Sequence, residues 1–161
     1  MKKKRIGIVS DSHGDRGRLE FALMKMEAAG RLDALIHCGD MASDADFIGG
    51  NILQVVAVRG NCDGWLAEAP VDMAVNIGGV NFFVTHGHKY GVKSDTDTLA
   101  AVAAGQGAQV CCFGHTHVPY CEYRYGVLML NPGACYATGN CAVIETDGRG
   151  GFSVQTMTNY D

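Results

Sequence analysis

The sequence predicts a mixed α/β sandwich, in which two β-sheets pack together and helices flank them. Three observations support this class. The first part of the chain alternates apolar strands with a helical segment, which is typical of parallel pairing with both sheet faces covered. The middle contains a hairpin signal, and the tail is a run of short β-rich segments bounded by Gly, Pro or Asn. A length of 161 residues is that of one ordinary domain, so we expect a single domain over residues 1–161.

The N-terminal part of the chain provides the parallel strands. Residues 5–9 are apolar and predict a short buried strand, and residues 15–29 carry an apolar stripe at helical spacing that stops at Gly30. Residues 34–38 and 53–58 predict the second and third strands. The stripe of the helix consists of Leu19, Ala22, Leu23, Met26 and Ala29.

A hairpin and a second helix follow in the middle of the chain. Residues 71–77 and 80–85 are rich in β-forming side chains and join at Gly78-Gly79, so we expect an antiparallel pair. A helix is then predicted over about residues 96–104. Its boundary residues are Ser94 or Asp95 as the cap at the start and Gly105 and Gly107 at the end.

The rest of the chain is predicted to consist of strands. Residues 110–113 are apolar and predict another short buried strand. Turn residues then divide the tail into β-rich segments, which predicts a run of antiparallel strands. These segments are residues 121–125, 127–131, 141–145 and 151–158.

Composition excludes several classes of protein. The formal net charge is −4, so we expect no nonspecific binding to nucleic acid, which needs a clustered basic surface. No apolar stretch approaches the length of a signal sequence or membrane span. Seven cysteines form an odd set without a C-x-x-C pair, which favours the reducing cytoplasm with most thiols in the core. We expect a cytoplasmic protein without a nucleic-acid or membrane partner, and a homo-oligomer stays open.

Side chains that commonly bind metal ions end five of the apolar segments. They comprise two Asp, one Asn and four His, a mixture that suits Mn²⁺, Fe or Zn²⁺ better than Ca²⁺ or a structural zinc. In layered α/β folds, ligands bind beyond the carboxyl ends of the strands, so we expect these five loops to converge on one rim. The set is large enough for two ions. Its members are Asp11, His13, Asp40, Asn61, His86, His115 and His117.

Each of these side chains has a simpler interpretation when it is taken alone. A His at a strand end is more often a surface or hydrogen-bonded residue, Asp11 fits a helix cap, and Asn61 fits a turn. Five such coincidences in one chain favour a common cause. His37 lies inside a predicted strand, so we expect it to be packed or hydrogen-bonded rather than a ligand.

The motifs, in this order, resemble the calcineurin-like metallophosphoesterase superfamily, and within it the small bacterial and archaeal phosphodiesterases related to the retromer subunit of eukaryotes. The resemblance spans nearly the whole chain. It implies the metallo-dependent phosphatase fold, a four-layer α/β/β/α sandwich of two mixed sheets. The motifs are Ser10-Asp11-Ser12-His13, Gly39-Asp40, Arg59-Gly60-Asn61-Cys62-Asp63, Thr85-His86-Gly87-His88, Gly114-His115-Thr116-His117 and Asn131-Pro132-Gly133.

The resemblance also implies a cofactor and an activity. Two divalent ions would lower the pKa of a shared water, present the hydroxide to phosphorus and stabilise the phosphoryl oxygens. Mn²⁺ is favoured, with Fe, Ni²⁺, Co²⁺ and Zn²⁺ open. The implied activity is that of a phosphodiesterase acting on a small-molecule or nucleotide-like ester. The implied ligands are Asp11, His13 and His117 for one ion, Asn61, His86 and His115 for the other, and Asp40 as the bridge.

The residue after the metal-binding Asn departs from the wider superfamily, which often has His there. This chain has Cys62, as the small phosphodiesterase branch often does, and a thiol is a poorer proton donor than an imidazolium. We therefore predict a preference for esters with good leaving groups, while packing beneath the metal site is an alternative role for Cys62. The resemblance assigns catalysis to Asp40, Asn61, His86, Cys62 and Asp63, and substrate binding to His88 and Asn61.

Asp63 and His88 are expected to act beside the ligands. Asp63 is placed to orient a ligand imidazole, because metal-bound His commonly donates its other N–H to a carboxylate. His88 is placed to contact the substrate phosphate, and a surface role is the alternative. Five tyrosines are candidates to face a nucleotide base, although packing is the commoner role. They are Tyr90, Tyr120, Tyr123, Tyr125 and Tyr136.

Two other functions stay open at this point. A non-catalytic metal-binding or protein-interaction scaffold, like the retromer relatives, has no need of four converging imidazoles. A phosphomonoesterase would need a cationic cradle, and no Arg cluster lies near the motifs. The loop after Gly133 continues as Ala134-Cys135-Tyr136, where the family commonly has Ser and then Pro-Arg, so we do not carry over the substrate preference of relatives.

Overall fold

In a computed structural model of the chain, two five-stranded sheets pack face to face, and a helix lies on the outer face of each. The structure describes residues 2–45, 52, 54–64 and 69–158. The elements are β1 (Arg5–Val9), α1 (Arg16–Glu27), β2 (Ala34–His37), β3 (Gln54–Ala57), β4 (Asp72–Ile77), β5 (Val80–Thr85), α2 (Asp97–Gly105), β6 (Val110–Cys112), β7 (Tyr120–Arg124), β8 (Val127–Asn131), β9 (Cys141–Thr146) and β10 (Phe152–Met157).

The first sheet has the strand order β10-β9-β1-β2-β3. β1, β2 and β3 pair in parallel, as the apolar strands predicted, and every residue of β1 and β2 is buried. Leu53, the predicted start of the third strand, lies outside the described residues. Asp15 caps α1, its carboxylate accepting a hydrogen bond from the N–H of Arg18. The helix ends at Glu27, so Ala29 is exposed beyond it rather than part of the buried stripe.

The second sheet has the strand order β4-β5-β6-β8-β7. The predicted hairpin of β4 and β5 is present, and β5, β6 and β8 pair in parallel. α2 begins and ends one residue later than the helix predicted over about residues 96–104. Thr96 is its N-cap residue, and the carboxylate of Asp95 accepts a hydrogen bond from the N–H of Asp97.

The prediction of one antiparallel run in the tail is wrong in its connections. β7 pairs with β8, and β9 pairs with β10, but the two hairpins belong to different sheets. The loop after β8 crosses between the sheets, because the N–H groups of Cys135 and Tyr136 donate to the carbonyls of Ser10 and Asp11 at the end of β1. The chain then enters β9 beside β1 instead of returning to β8.

Three apolar clusters hold the layers together. The largest lies between the two sheets, a second lies between α1 and the first sheet, and a third lies between α2 and the second sheet. This order of layers is the predicted α/β/β/α sandwich. Within the described residues, the structure contains no helix with the length and apolar character of a membrane span.

Candidate metal centre

The loops that follow the strands converge on one rim, as the motifs predicted. Asp11, His13, Asp40 and His117 present ligand atoms that all lie within 4.8 Å of one another. The shortest of these separations include 3.3 Å from Nε2 of His117 to Oδ1 of Asp11 and 3.6 Å from Nε2 of His13 to Oδ2 of Asp40. Two ligand atoms on one ion, each about 2.1 Å from it, lie roughly 3 to 3.5 Å apart. We call Asp11, His13 and His117 the first donor group.

The second donor group consists of Asn61, His86 and His115, and it adjoins the first through Asp40. Nε2 of His86 lies 3.3 Å from Oδ2 of Asp40. The rings of His86 and His115 lie 5.1 Å apart between centroids, and Oδ1 of Asn61 is 3.0 Å from Nδ1 of His115. The structure therefore brings together all seven predicted ligands, with Asp40 between the two groups.

The two carboxylates of the centre are held in the same way. One oxygen of each is fixed by the protein, since Oδ2 of Asp11 accepts the Ser10 hydroxyl at 2.6 Å and Oδ1 of Asp40 accepts the Cys62 N–H at 2.8 Å. The other oxygen of each faces the imidazoles. Burial raises the pKa of Asp11. At Asp40 burial acts in the same direction, but the nearby His86 and the Cys62 N–H outweigh burial, and the pKa of Asp40 lies well below its usual range.

Three atoms at the centre are buried without a hydrogen-bond partner among the described residues. They are Oδ1 of Asp11, Nε2 of His13 and Nε2 of His86. Nδ1 of His86 lies 2.7 Å from the carbonyl oxygen of Cys38, a contact that requires the proton on Nδ1 and leaves the Nε2 lone pair facing the centre. Unpartnered buried polar atoms are rare in proteins, and carboxylate and imidazole donors together suit a divalent transition-metal ion. The residues present therefore fit a metal site.

The electrostatics of the centre favour positive charge. Burial lowers the pKa of His86, but the carboxylates of Asp40 and Asp11 outweigh burial, and the net pKa is raised. His115 responds differently, although its backbone N–H donates to Oδ2 of Asp11 at 3.2 Å. Its pKa is lowered to about 4 by desolvation and by the charges of His86 and Lys93, so its imidazole is neutral and able to donate a lone pair.

Backbone geometry at the donors is unusual. Eight non-glycine residues in the part of the chain that the structure describes have a positive φ, and five of them are predicted ligands. Such conformations are uncommon outside glycine, and they concentrate at functional sites where surrounding contacts hold them. The five, with φ between 47° and 70°, are Asp11, His13, Asp40, His115 and His117.

Two glycines allow the loops to approach the carboxylates. A Cβ atom at Gly60 would collide with the carboxylate of Asp40, and one at Gly114 would collide with the hydroxyl of Ser10. Each glycine directly precedes a ligand, Asn61 or His115. These two glycines are therefore needed for close approach of the backbone.

Asp63 makes a different contact from the predicted one. Its two carboxylate oxygens accept four backbone N–H groups at 2.8–3.1 Å, instead of an imidazole N–H. The reason is position, because Asp63 follows the turn at Gly60 and lies beneath the loop that carries Asp40. Asp63 therefore shapes the bridging loop. The four donors are the N–H groups of Asp40, Met41, Ala42 and Gly60.

Cys62 and His88 lie at the edge of the centre. The Cys62 side chain is exposed, so it does not pack beneath the metal site. Desolvation and the charge of Asp40 raise the pKa of its thiol, which keeps it protonated near neutral pH. The His88 ring lies 5.5 Å from that of His86, and its buried Nδ1 has no hydrogen-bond partner among the described residues. Desolvation and the charge of His86 lower the pKa of His88.

A buried hydrogen-bond network behind the first donor group was not predicted. Ser12 lies 2.8 Å from Nε2 of His37 and donates its hydroxyl to Asp44, which also accepts the N–H of Gly14. Nδ1 of His37 accepts the N–H of Gly39. His37 is thus hydrogen-bonded in the core, as expected, and burial lowers its pKa to about 4. No sequence signal indicated Asp44, which follows no predicted strand.

The tyrosines have different surroundings. Tyr90 donates its hydroxyl to Asp72, which is a packing role, and Tyr123 and Tyr125 are exposed on and next to the edge strand β7. Tyr136 is about half exposed, and its ring lies 5.9 Å from that of His13 in an edge-on arrangement. Tyr136 is therefore the one in ring contact with a predicted ligand among the described tyrosines.

Known sequences are similar to this chain over most of its length. Residues 5–148 match the family described as the calcineurin-like phosphoesterase superfamily domain. The probable metallophosphoesterase YsnB of Bacillus subtilis is 35% identical over 127 residues, which cover 79% of this chain and 72% of that protein. A phosphodiesterase of Methanocaldococcus jannaschii is 31% identical over 165 residues, covering 89% of this chain and 93% of that protein.

Solved structures have the same architecture. A predicted phosphoesterase from Streptococcus pneumoniae TIGR4 superposes with a TM-score of 0.75 at 28% identity, covering 98% of this chain and 91% of that one. Vacuolar Protein Sorting 29 from Cryptosporidium parvum superposes with a TM-score of 0.79 at 16% identity, covering 98% of both chains. At that identity the second similarity shows the fold alone. The predicted four-layer sandwich is confirmed.

Proposed function

This chain belongs to the calcineurin-like phosphoesterase superfamily, as its motifs predicted, and we propose that it is a metal-dependent phosphodiesterase that works with two divalent ions. The observation that carries the proposal is the trio of buried, unpartnered atoms on Asp11, His13 and His86, which converge around Asp40. Leaving such an atom without a partner costs about 1–3 kcal/mol. Bound cations would offset that cost, whereas a protein that serves only as a scaffold would gain nothing from such atoms.

The two donor groups supply the proposed ligands. The first ion is assigned to Asp11, His13 and His117, and the second to Asn61, His86 and His115. Oδ2 of Asp40 lies within 3.6 Å of an imidazole nitrogen from each group, which supports a bridging role. Mn²⁺ is the favoured ion, and Fe, Ni²⁺, Co²⁺ and Zn²⁺ suit the same donors.

When bound, two divalent ions neutralise charge on phosphoryl oxygens and lower the pKa of a water molecule between them. The protein prepares the site for this chemistry. Ser10 and Cys62 fix one oxygen of each carboxylate, and the carbonyl of Cys38 fixes the tautomer of His86. We assign to His88 a hydrogen bond to a phosphate oxygen, since its neutral ring borders the second donor group.

Cys62 influences the choice of leaving group in this proposal. Its thiol is protonated beside Asp40, and a raised pKa makes it a weak proton donor to a departing alkoxide. Esters whose leaving group needs no protonation, such as aryl esters, are therefore expected to react fastest. The substrate class we propose is a small-molecule or nucleotide-like phosphodiester, in the reducing cytoplasm where the seven unpaired thiols would persist.

The name of the Methanocaldococcus relative supports a diester over a monoester. The likeness to Vacuolar Protein Sorting 29 shows the fold alone and leaves the scaffold alternative without an observation of its own. The presence of all seven proposed ligands argues against a scaffold, because a scaffold needs no buried polar atoms without hydrogen-bond partners.

The test uses protein stripped of metal, to which single ions are returned. We expect two ions to bind and the hydrolysis of an aryl phosphodiester to recover, most with Mn²⁺, while the matching aryl phosphomonoester reacts more slowly. A preference for the monoester would make the protein a phosphomonoesterase. Two bound ions without hydrolysis of either ester would favour the scaffold, and no uptake of transition metal would remove the mechanism.

A further inference from the structure

A cavity of about 400 Å³ lies beside the loop that carries His115 and His117. It lies between the segment before α2, the end of β6 and the start of β7. Its apolar lining comes from Val92, Phe113 and Val118, and its charged lining comes from Asp95, Asp97 and Arg124. Sites for small molecules have volumes of about 300–1,000 Å³ and combine apolar walls with a few polar groups.

The cavity shares a loop with the proposed ligands. Thr116 lines it and stands between His115 and His117 in the chain, so its Cα atom is about 3.8 Å from those of both ligands. The hydroxyl of Thr116 accepts the side-chain N–H of Asn131 and the N–H of Val118, which fixes this part of the wall. None of the seven proposed ligands lines the cavity, so a group bound in it would lie next to the loop that carries His115 and His117.

The charges in the cavity do not favour an anion. Nε of Arg124 is 3.9 Å from Asp97, and its terminal nitrogen is 3.6 Å from Glu122, so this guanidinium already lies beside two carboxylates. Asp95 is a further carboxylate in the lining, which thus contains two acidic side chains and one basic side chain. A carboxylate accepts hydrogen bonds but cannot donate them, which selects ligand groups that carry O–H or N–H.

Hydroxyl groups complete the polar side of the cavity. Those of Thr96 and Tyr120 lie 3.4 Å apart, and each is able both to donate and to accept. Phe113 and Val92 add apolar side chains to the lining, and the Phe113 ring lies 6.2 Å from the Tyr120 ring between centroids. A flat or ring-shaped group is able to pack against such a surface. The lining as a whole matches a ring that bears hydroxyls and no negative charge.

We propose that this cavity binds one ester arm of the substrate, and that the arm is an uncharged, hydroxyl-bearing group of the size of a nucleoside. This inference rests on the proposed phosphodiesterase function and narrows its substrate class. The phosphate would lie at the metal centre, one arm would occupy the cavity, and the other would leave toward solvent. A second phosphate on the bound arm would meet Asp95 and Asp97 and be disfavoured.

The first experiment compares two nitrophenyl phosphodiesters, one whose other arm is a nucleoside and one whose other arm is methyl. We expect kcat/KM to be about tenfold or more higher for the nucleoside ester, because binding of the arm lowers the free energy of the transition state. Replacing the exposed Ser94 by Trp (S94W) fills the mouth of the cavity and should reduce this ratio about tenfold. The control S153W places the same side chain at an exposed position on β10 and should keep the ratio.

A second variant guards against a folding defect in S94W. Asp97→Asn removes one carboxylate charge from the cavity, and E20Q is its control at an exposed position of α1. The Asp97–Arg124 contact is exposed, so little stability depends on it. We expect D97N to lower the ratio and E20Q to leave it in place.

Binding of a free nucleoside to metal-free protein separates this inference from the proposed function. Shifts of the backbone amide signals of Ser94 and Val118 on addition of nucleoside would support the cavity even if no diester were hydrolysed. Hydrolysis with equal kcat/KM for the two esters, together with unchanged amide signals, would overturn the cavity and leave the phosphodiesterase proposal standing. A glycerol arm that outperforms the nucleoside arm would contradict the proposed size.

Discussion

The two donor groups beside Asp40 differ in what their atoms contact when no ion is considered. In the first group, Asp11 and His13 each leave a buried atom without a hydrogen-bond partner among the described residues. In the second group, Asn61 and His115 satisfy each other at 3.0 Å. Nε2 of His86, also in the second group, has no hydrogen-bond partner among the described residues. An ion at the second group therefore meets one such atom but has to replace the Asn61–His115 hydrogen bond, whereas an ion at the first group meets two such atoms.

Charge widens the difference between the groups. The first contains the carboxylate of Asp11 in addition to the shared Asp40, while the second contains an amide and two imidazoles. A cation is attracted more strongly by two carboxylates than by one, especially where burial limits screening. The proposed centre is therefore asymmetric, and we expect the first ion to bind more tightly and the second to bind later.

Loss of the shared carboxylate should have the largest effect. Asp40→Asn removes one negative charge from both groups at once, so we expect both ions to bind more weakly. Loss of a group that merely supports a ligand costs about 10–100-fold in metal affinity or activity, and loss of a bridging ligand should exceed that range. The measurement is metal content after dialysis together with the rate on an aryl diester. A variant that keeps two ions and the normal rate would contradict the bridge.

A matched pair of His variants tests the asymmetry directly. His117 and His115 both have a positive φ, which glycine adopts without strain, so H117G and H115G perturb the backbone equally. Calorimetric titration of the unchanged protein with Mn²⁺ should show a tight and a weak phase. We expect H117G to lose the tight phase and H115G only the weak one, each with a loss of at least about tenfold in affinity. The reverse pattern would show that the second group binds first.

Asp63 and Asp44, the two carboxylates that support the ligand loops, should differ in how much activity their loss removes. Asp63 uses both oxygens to accept four N–H groups, so in D63N an amide N–H must face backbone donors. Asp44 uses one oxygen for both of its bonds, which an Asn oxygen can still make. We expect D63N to lower kcat/KM about tenfold or more and D44N to lower it less. Equal losses would mean that the hydrogen-bond count does not decide the effect.

The network behind the first group should make stability depend on pH. The pKa of His37 is about 4 in the folded protein and near 6.5 when unfolded, so the folded state favours the neutral ring. Its contribution is complete above pH 6.5 and is lost as the pH falls toward 4, with about 2 kcal/mol gone at pH 5. Urea unfolding of metal-free protein at pH 7 and pH 5 measures this change. In H37Q the loss should be smaller by that amount, and an equal loss would show that other groups are responsible.

The smallest change is expected at Cys62, outside both groups. C62H introduces a side chain with a better proton donor beside the centre and should raise the rate on alkyl diesters several-fold, with less change on aryl diesters. Rates for the two ester classes, measured with the same metal, give the comparison. No gain on alkyl esters would contradict a role for this position in protonating the leaving group.

Features that depend on local sequence were predictable. Apolar segments predicted the strands, and the side chains at their ends predicted the seven proposed ligands that the fold brings together, because parallel strands direct their carboxyl ends to one edge. The choice of sheet for the tail strands was not predictable in this way. β8 enters the second sheet and β9 the first because of long-range pairing with β6 and β1, and local pattern carries no information about those partners.

The residues that support the ligands were the hardest to predict. Asp44 meets Ser12 across 32 positions of sequence, and Asp63 meets Asp40 across 23, so neither contact follows from a motif. The predicted partner of Asp63, a ligand imidazole, was wrong for the same reason. A carboxylate near a ligand in sequence is able to accept hydrogen bonds from either a side chain or the backbone. Exposure of Cys62 likewise became visible only in the folded chain.

Five of the proposed ligands have a left-handed backbone, which lowers the stability of the fold where the metal site is formed. Each such residue costs about 1 kcal/mol or more relative to glycine, and the net stability of a whole domain is only about 5–15 kcal/mol. In a related protein that bound no ions, substitution of His13 or His117 by glycine would raise the free energy of unfolding. The presence of imidazoles at these strained positions is therefore expected under selection for metal binding rather than for fold stability.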